Sequence, residues 1–216
     1  MMAVYDLEEQ EQISELKAWW AQYGNLVVGL ALAAAVAAVG WQGWQWFQNR
    51  NAAEAGTLYY AVQQAAQSQD AQKAREAAGR LIGEHGGSAS AQLGALLAAA
   101  VQFEADDLTN ARAQLEWAAD KGADAALRDL ARLRLAAVML EQGELDAALA
   151  RLQGAPVTAA YKSRYDDLRG DVLAELGRAD EARAAYRAAI DSLAAEGEEA
   201  MTLRELVRVK LESLGA

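Results

Sequence analysis

Between Lys17 and Arg50 the chain carries no charged residue. That stretch limits the possible folds more than any other feature of the sequence. A helix in the core of a soluble domain seldom needs more than ~15 residues and keeps a polar face. A bilayer span needs ~20 predominantly apolar residues. From Leu26 to Trp41 every residue is apolar or glycine, on all sides of a helix. Trp19, Trp20 and Tyr23 lie at one end of the stretch, and Trp41, Trp44, Trp46 and Phe47 at the other. Trp20 to Trp41 is about 31 Å at ~1.5 Å per helical residue, so both groups fall where aromatic belts form at a membrane interface. A cleaved secretory signal would need a basic leader. Residues 1–17 instead hold Asp6, Glu8, Glu9, Glu11 and Glu15 against Lys17 alone. Small-x-small triplets in the alanine run leave cleavage as the alternative, with a buried core helix third. The expectation is an uncleaved transmembrane helix over residues 24–48.

Residues 1–23 read as an acidic tail with a short amphipathic helix, on which Ile13, Leu16 and Trp20 share a face. Asp6 and Glu9 have capping-box spacing at its start, with Asp in place of the usual Ser or Thr. Charge does not orient the span, because Lys17 before it and Arg50 after it balance. Within it Gly29, Ala33 and Ala37 recur at i, i+4 and i+8, with Gly40 near the same face. Small residues so placed let a second helix approach closely in lipid, although alanine-rich spans also produce such triplets by chance.

The remainder is long enough for one proper core. Residues 50–216 carry 19 basic and 26 acidic side chains, which argues against a nucleic-acid partner, since phosphate binding draws on clustered Lys and Arg. With no cysteine in the chain, disulfides, thiol catalysis and zinc-thiolate sites are excluded. The single histidine, His85, suits a helix C-terminus, with Gly86 or Gly87 as a left-handed cap. Glu104, Asp106 and Asp107 cluster at a turn, where they are most simply solvated. No catalytic, metal or cofactor-binding residues emerge, and an enzyme is not expected.

Internal repeats organise this part. The clearest unit is "DLRGDVLAELGRADEARAAYRAAI", from Asp167 to Ile190. Gly170, Gly177, Ala182, Tyr186 and Ala189 follow the tetratricopeptide pattern of two antiparallel helices joined by a tight turn. Ala182 and Ala189 must be small where the helices cross, and Tyr186 fills the gap beside the next repeat. Stepping back by 34, 37 and 37 residues, the same alanine falls at Ala148, Ala111 and Ala74. Gly143 marks the turn of the third unit, and Asp106 stands where that glycine would be in the second. Pro156, the one proline, falls near a repeat boundary. About four degenerate repeats cover 49–198. An amphipathic helix over 199–216 caps them, with Met201, Leu203, Leu206, Val207, Val209 and Leu211 available for burial. The expected class is all-α, a helical-hairpin solenoid behind one membrane helix.

In such arrays the first helix of each repeat lines the concave surface. The alanine register puts Tyr59, Leu93, Leu96, Phe103, Leu130, Leu133 and Leu140 at or near groove-facing positions. This lining suits an apolar segment of a partner or an unfolded client, although leucines at helical spacing are usually core. Arg164, Asp167 and Asp171 break the pattern in the fourth repeat.

The order of these features, with "ISELKAWWAQYGN" leading into the span, "VGWQGWQWFQ" leaving it, and "DLRGD" opening the last repeat, resembles the YfgM family. That family is the ancillary subunit of the SecYEG translocon in Gram-negative bacteria, and the resemblance covers essentially the whole chain. It implies an inner-membrane protein with a cytoplasmic N-terminus and a periplasmic repeat domain. The implied partners are the translocon, the membrane-anchored chaperone PpiD and emerging secretory clients, which pass to periplasmic chaperones. No groove residue carries over individually, because the family has no fixed motif there. The alternative is an envelope scaffold or regulatory adaptor that holds one folded partner and has no role in secretion.

Overall fold

The computed structural model describes the backbone of residues 3–215 and the side chains of residues 13–215. The tail side chains Asp6, Glu8, Glu9 and Glu11 therefore lie outside the described residues. Every long element is a helix: α1 (Ala3–Gln67), α2 (Ala71–His85), α3 (Ala89–Glu104), α4 (Leu108–Lys121), α5 (Ala125–Glu141), α6 (Leu145–Arg151), α7 (Lys162–Glu175), α8 (Ala179–Ala195) and α9 (Met201–Ser213). The chain divides into two units, residues 1–51 and 52–216, and α1 contributes to both.

One expectation about the first unit is corrected. The short helix expected within residues 1–23 is not a separate element, because from Ala3 onward α1 runs on through Gly24 without a break. The backbone of Asp6 lies inside α1, which begins at Ala3, and the capping contacts expected of the Asp6 and Glu9 side chains lie outside the described residues. The unbroken helix has a local reason. Helix α1 as a whole holds no proline, and its many alanines and other helix formers outweigh its scattered glycines.

In the second unit the end of α1 pairs with α2, and α3 with α4, α5 with α6 and α7 with α8 as successive hairpins. Ala74, Ala111, Ala148 and Ala182 are each fully buried at the crossings, as their spacing required. Ala55, Val62 and Ala65 of α1 pack with Ala74, Ala78 and Leu81 of α2 and Ala91 and Ala98 of α3. A central cluster around Leu96, Leu115, Leu135, Leu152 and Tyr165 joins the second, third and fourth repeats. Leu173, Tyr186, Leu193 and Val207 form the last one, against α9.

The four hairpin turns share one construction. Five residues before each crossing alanine the backbone is left-handed: Gln69 at φ 52°, Asp106 at 60°, Gly143 at 73° and Gly177 at 72°. The next amide then donates back to the helix: Asp70 to Ala65, Asp107 to Gln102, Glu144 to Met139 and Arg178 to Leu173, each at 2.8–3.0 Å. This is the Schellman closure. Glycine adopts it freely, whereas a side chain there costs ~1–2 kcal/mol, less for Asp than for Gln. Gln69→Gly is therefore expected to stabilise the domain by about 1 kcal/mol and Asp106→Gly by less. Urea unfolding followed by circular dichroism reads both, and a loss of stability in either variant would contradict this account of the turns.

The third hairpin departs from its neighbours. Its second helix, α6, has 7 residues against 15, 14 and 17 in α2, α4 and α8. Gly154 at φ 92° and Pro156 follow its end and keep the chain from resuming it, since proline cannot continue a helix. The loop that follows is tied down instead. Asp129, fully buried on α5, accepts the Thr158 amide at 2.9 Å, and the Tyr165 hydroxyl donates to the Asp129 carbonyl at 2.8 Å.

The capping helix buries less than its periodicity suggested. Val207 is fully buried and Leu203, Leu211 and Leu214 pack partly against the last core. Met201, Leu206 and Val209 are exposed, the opposite of what was expected of them. The helix meets α7 and α8 on one side, and among the described residues no element packs on its other face.

Candidate functional site

The groove reading depends on which side chains of α3 and α5 remain accessible once the hairpins pack. Helix α3 is buried on most of its circumference, with Ala91, Gln92, Ala95, Leu96, Ala98, Ala99, Val101 and Gln102 all inside. Leu96, at 3% exposure, is part of the central core and is withdrawn from the groove. It lies one residue off the strip that stays accessible, namely Leu93, Leu97, Ala100 and Phe103. Leu93 is 38% and Phe103 43% exposed. Tyr59 is half-buried in the N-terminal core, close to the face of Gly94. Leu130, Leu133 and Leu140 are half-buried against the central core. Beside Phe103 a cavity of about 280 Å³ is lined by Ala99, Ala100, Leu115 and Ala137, with Glu104 and Arg134 at its edge.

In the fourth repeat Asp167 and Asp171 are already engaged. The Lys210 ammonium reaches from α9 to Asp167 and Asp171, at 2.8 Å each. The Tyr186 hydroxyl donates to the other oxygen of Asp171 at 2.8 Å. The Tyr186 ring lies over Gly170 in its own hairpin, rather than only beside the next element. Both aspartates and the glycine of "DLRGD" thus serve to seat the last hairpin and its cap.

These groups also set an alkaline limit. Burial pushes the Tyr165 hydroxyl up to about 12, helped by the charge of Asp129. Burial and then the hydrogen bond to Asp171 raise Tyr186 as well. Burial alone would lower Lys210, but its hydrogen bonds to Asp167 and Asp171 outweigh that and raise it. A group whose folded pKa is raised contributes stability that is complete below its unfolded value, ~10 for Tyr and ~10.4 for Lys, and that is lost as pH climbs through the folded one. The melting temperature is expected to fall between about pH 10 and 12, and less steeply in Tyr165→Phe. A flat profile over that range would contradict the assignment.

Polar anchors of this kind were not foreseen from the sequence. Gln92, fully buried on α3, donates to the carbonyls of Ala118 and Asp124 at 3.0 and 3.2 Å and accepts the Asp124 amide at 2.9 Å. Asp107, expected to be merely solvated, caps α4 by accepting the Asn110 amide at 3.2 Å. His85 ends α2 as expected but is buried. The left-handed cap proposed for it is absent. Gly86 has φ −57°, and Gly87 is not left-handed either. The chain turns right-handed there, with the Ser88 amide donating to the His85 carbonyl at 2.8 Å before Ser88 caps α3.

In the first unit, residues 13–50 present almost every side chain outward. Trp19, Trp20, Tyr23, Trp41, Trp44 and Trp46 are all exposed. They group at two levels, with Trp19 and Tyr23 ring centroids 5.8 Å apart and those of Trp41 and Trp44 5.4 Å apart. Gly29, Ala33, Ala37 and Gly40 lie along one side of α1, and a Cβ on Gly29 or Gly40 would meet nothing. By length and composition α1 is able to cross a membrane.

Comparison with known proteins agrees with this architecture. A family model described as a tetratricopeptide repeat-like domain matches residues 17–216. The "Ancillary SecYEG translocon subunit" of Neisseria gonorrhoeae is 31% identical over 96% of this chain and 98% of its own length. Proteins of the same name from Haemophilus influenzae and Aggregatibacter actinomycetemcomitans are 28% and 26% identical. They match over 78% and 97% of this chain, and over 81% and 99% of their own lengths. No solved structure matches the chain. With its repeats and its apolar N-terminal helix both inside the matched region, the chain belongs to the tetratricopeptide repeat-like family of ancillary SecYEG translocon subunits.

Proposed function

We propose that this protein is a membrane-anchored accessory of the Sec translocation channel, with its N-terminus in the cytoplasm and its repeat domain in the periplasm. The observation that carries the reading is the near full-length similarity to the Neisseria subunit. In this role the side of α1 with Gly29, Ala33, Ala37 and Gly40 docks against a helix of the channel, where small residues permit close approach. The aromatic groups at Trp19–Tyr23 and Trp41–Trp46 hold the span at its two interfaces. The repeat domain presents the strip around Leu93 and Phe103, with the half-buried Tyr59, Leu130, Leu133 and Leu140 as further candidate contacts. That surface receives a PpiD-like chaperone or an emerging chain and assists its passage to periplasmic chaperones.

Site-specific photo-crosslinking in membranes tests this. Probes at Leu16 and Ala33 are expected to capture channel subunits, and probes at Leu93 and Leu133 a chaperone or nascent chain. Adducts from every groove position to one unrelated envelope protein, with none to the channel, would make the protein a scaffold instead. The chain has no cysteine, so single cysteines report sidedness cleanly. Glu199→Cys is expected to react with a membrane-impermeant maleimide in cells with a permeabilised outer membrane, and Ser14→Cys only after lysis. The reverse pattern would overturn the orientation.

A further inference from the structure

The cavity beside Phe103 has a chemistry more specific than an apolar groove. At about 280 Å³ it falls below the ~300–1,000 Å³ of small-molecule sites, yet it has room for one large apolar side chain. Three of its walls are alanines, Ala99, Ala100 and Ala137, and the floor is Leu115. The exposed Phe103 ring stands at its mouth, and aromatic side chains dominate such anchor points. Apolar contacts of this kind provide affinity but little choice of partner.

Choice comes from the edge. Arg134 is exposed and makes one long hydrogen bond, 3.4 Å, to the Leu96 carbonyl. Among the described residues no carboxylate lies within ion-pair reach of it. Its neighbours differ in this respect: Arg112 holds Glu116 and Glu144, Arg132 reaches Asp129, and Arg151 holds Asp120. Glu104 stands at the same cavity and forms no ion pair among the described residues, so it repels an acid at its own position. The domain as a whole has more acids than bases, which disfavours a polyacidic ligand.

We propose that this cavity is the specificity point of the groove, seating an apolar side chain of a partner segment whose single neighbouring carboxylate pairs with Arg134. The inference rests on the groove reading given above and narrows it to one kind of protein ligand, an amphipathic segment with one acid about a turn from its apolar anchor. Glu104 sets the direction in which such a segment lies, since the acid must face away from it.

The test uses the full-length protein in lipid nanodiscs and two fluorescein-labelled dodecapeptides. Both are alanine-based and near-neutral, with two adjacent leucines; one carries Asp a turn after them and the other Asn. The Asp peptide is expected to bind about three- to fivefold more tightly, the scale of one exposed ion pair. Arg134→Gln should abolish that preference, and Ala100→Phe, which fills the cavity, should weaken both peptides. Equal binding of the two peptides overturns the proposal, as does a preference that survives Arg134→Gln. Crosslinking from Leu93 and Leu133 separates this from failure of the wider reading. Groove adducts retained in Arg134→Gln alongside equal peptide binding remove this specificity point alone. Loss of all groove adducts in the unaltered chain removes the groove itself.

Discussion

Gln92→Leu is expected to lower the stability of the repeat domain by about 3 kcal/mol, because it strips three hydrogen bonds from the α4–α5 junction while changing the side-chain volume little. The Gln92 amide makes three bonds to the end of α4 and the link that follows it, through the Ala118 carbonyl and both backbone groups of Asp124. A leucine returns none of them, and each bond lost is worth ~0.5–1.5 kcal/mol, although the Asp124 carbonyl keeps the Arg128 amide at 3.0 Å. In a domain of this size that corresponds to a fall in melting temperature of roughly 6–12 °C, readable by circular dichroism on the full chain in detergent. The effect has a functional side. Gln92 is on α3 and the link it grips leads directly into α5, so it fixes the spacing of the two helices that flank the Phe103 cavity. Crosslinks from Leu93 should weaken in the variant before the membrane helix is affected. A change of less than ~0.5 kcal/mol, the range of ordinary surface substitutions, would show that the link holds without it.

Gly170→Ala is expected to cost about 3 kcal/mol, the upper end of ordinary overpacking. A Cβ at this position would collide with the Tyr186 ring. The ring has little room to withdraw, because its hydroxyl is bonded to Asp171 and the Lys210 ammonium lies 5.9 Å from its centre. Moving it therefore disturbs α7, α8 and the cap together. The pair can be separated by a double-mutant cycle. In a Tyr186→Leu background the added methyl group has space, and Gly170→Ala should then cost less than about 1 kcal/mol. If its cost is the same in both backgrounds, the close approach of ring and glycine is not what requires a glycine there.

The same residues show how far the sequence carries. Ala74, Ala111, Ala148 and Ala182 were legible because a helix crossing demands a small side chain at a fixed interval, and repetition makes the interval visible. Gly143 and Gly177 were legible for the same reason. Gln69 was missed, since nothing about a glutamine announces a left-handed turn; only its place five residues before Ala74 does. Leu96 went wrong in a different way. Apolar periodicity marks the inward face of a helix, but α3 packs against neighbours on several sides, and a shift of one residue separates core from surface. Leu206 and Val209 were assigned to burial by periodicity alone, which says nothing about whether a partner helix exists.

The charge-free stretch and its aromatic ends, the helical class, the number of hairpins and the family were determined by the sequence alone, because each follows from local composition or from a period along the chain. The long-range polar contacts were decided only by tertiary structure: Gln92 to Asp124, Asp129 to Thr158, and Lys210 to Asp167 and Asp171. Such bonds join residues about 30 to 40 positions apart with no periodic signature. They exist because packing the apolar faces buries backbone and charged groups that must then find partners. The Phe103 cavity was decided in the same way, since it is the space that the packing of α3, α4 and α5 leaves unfilled.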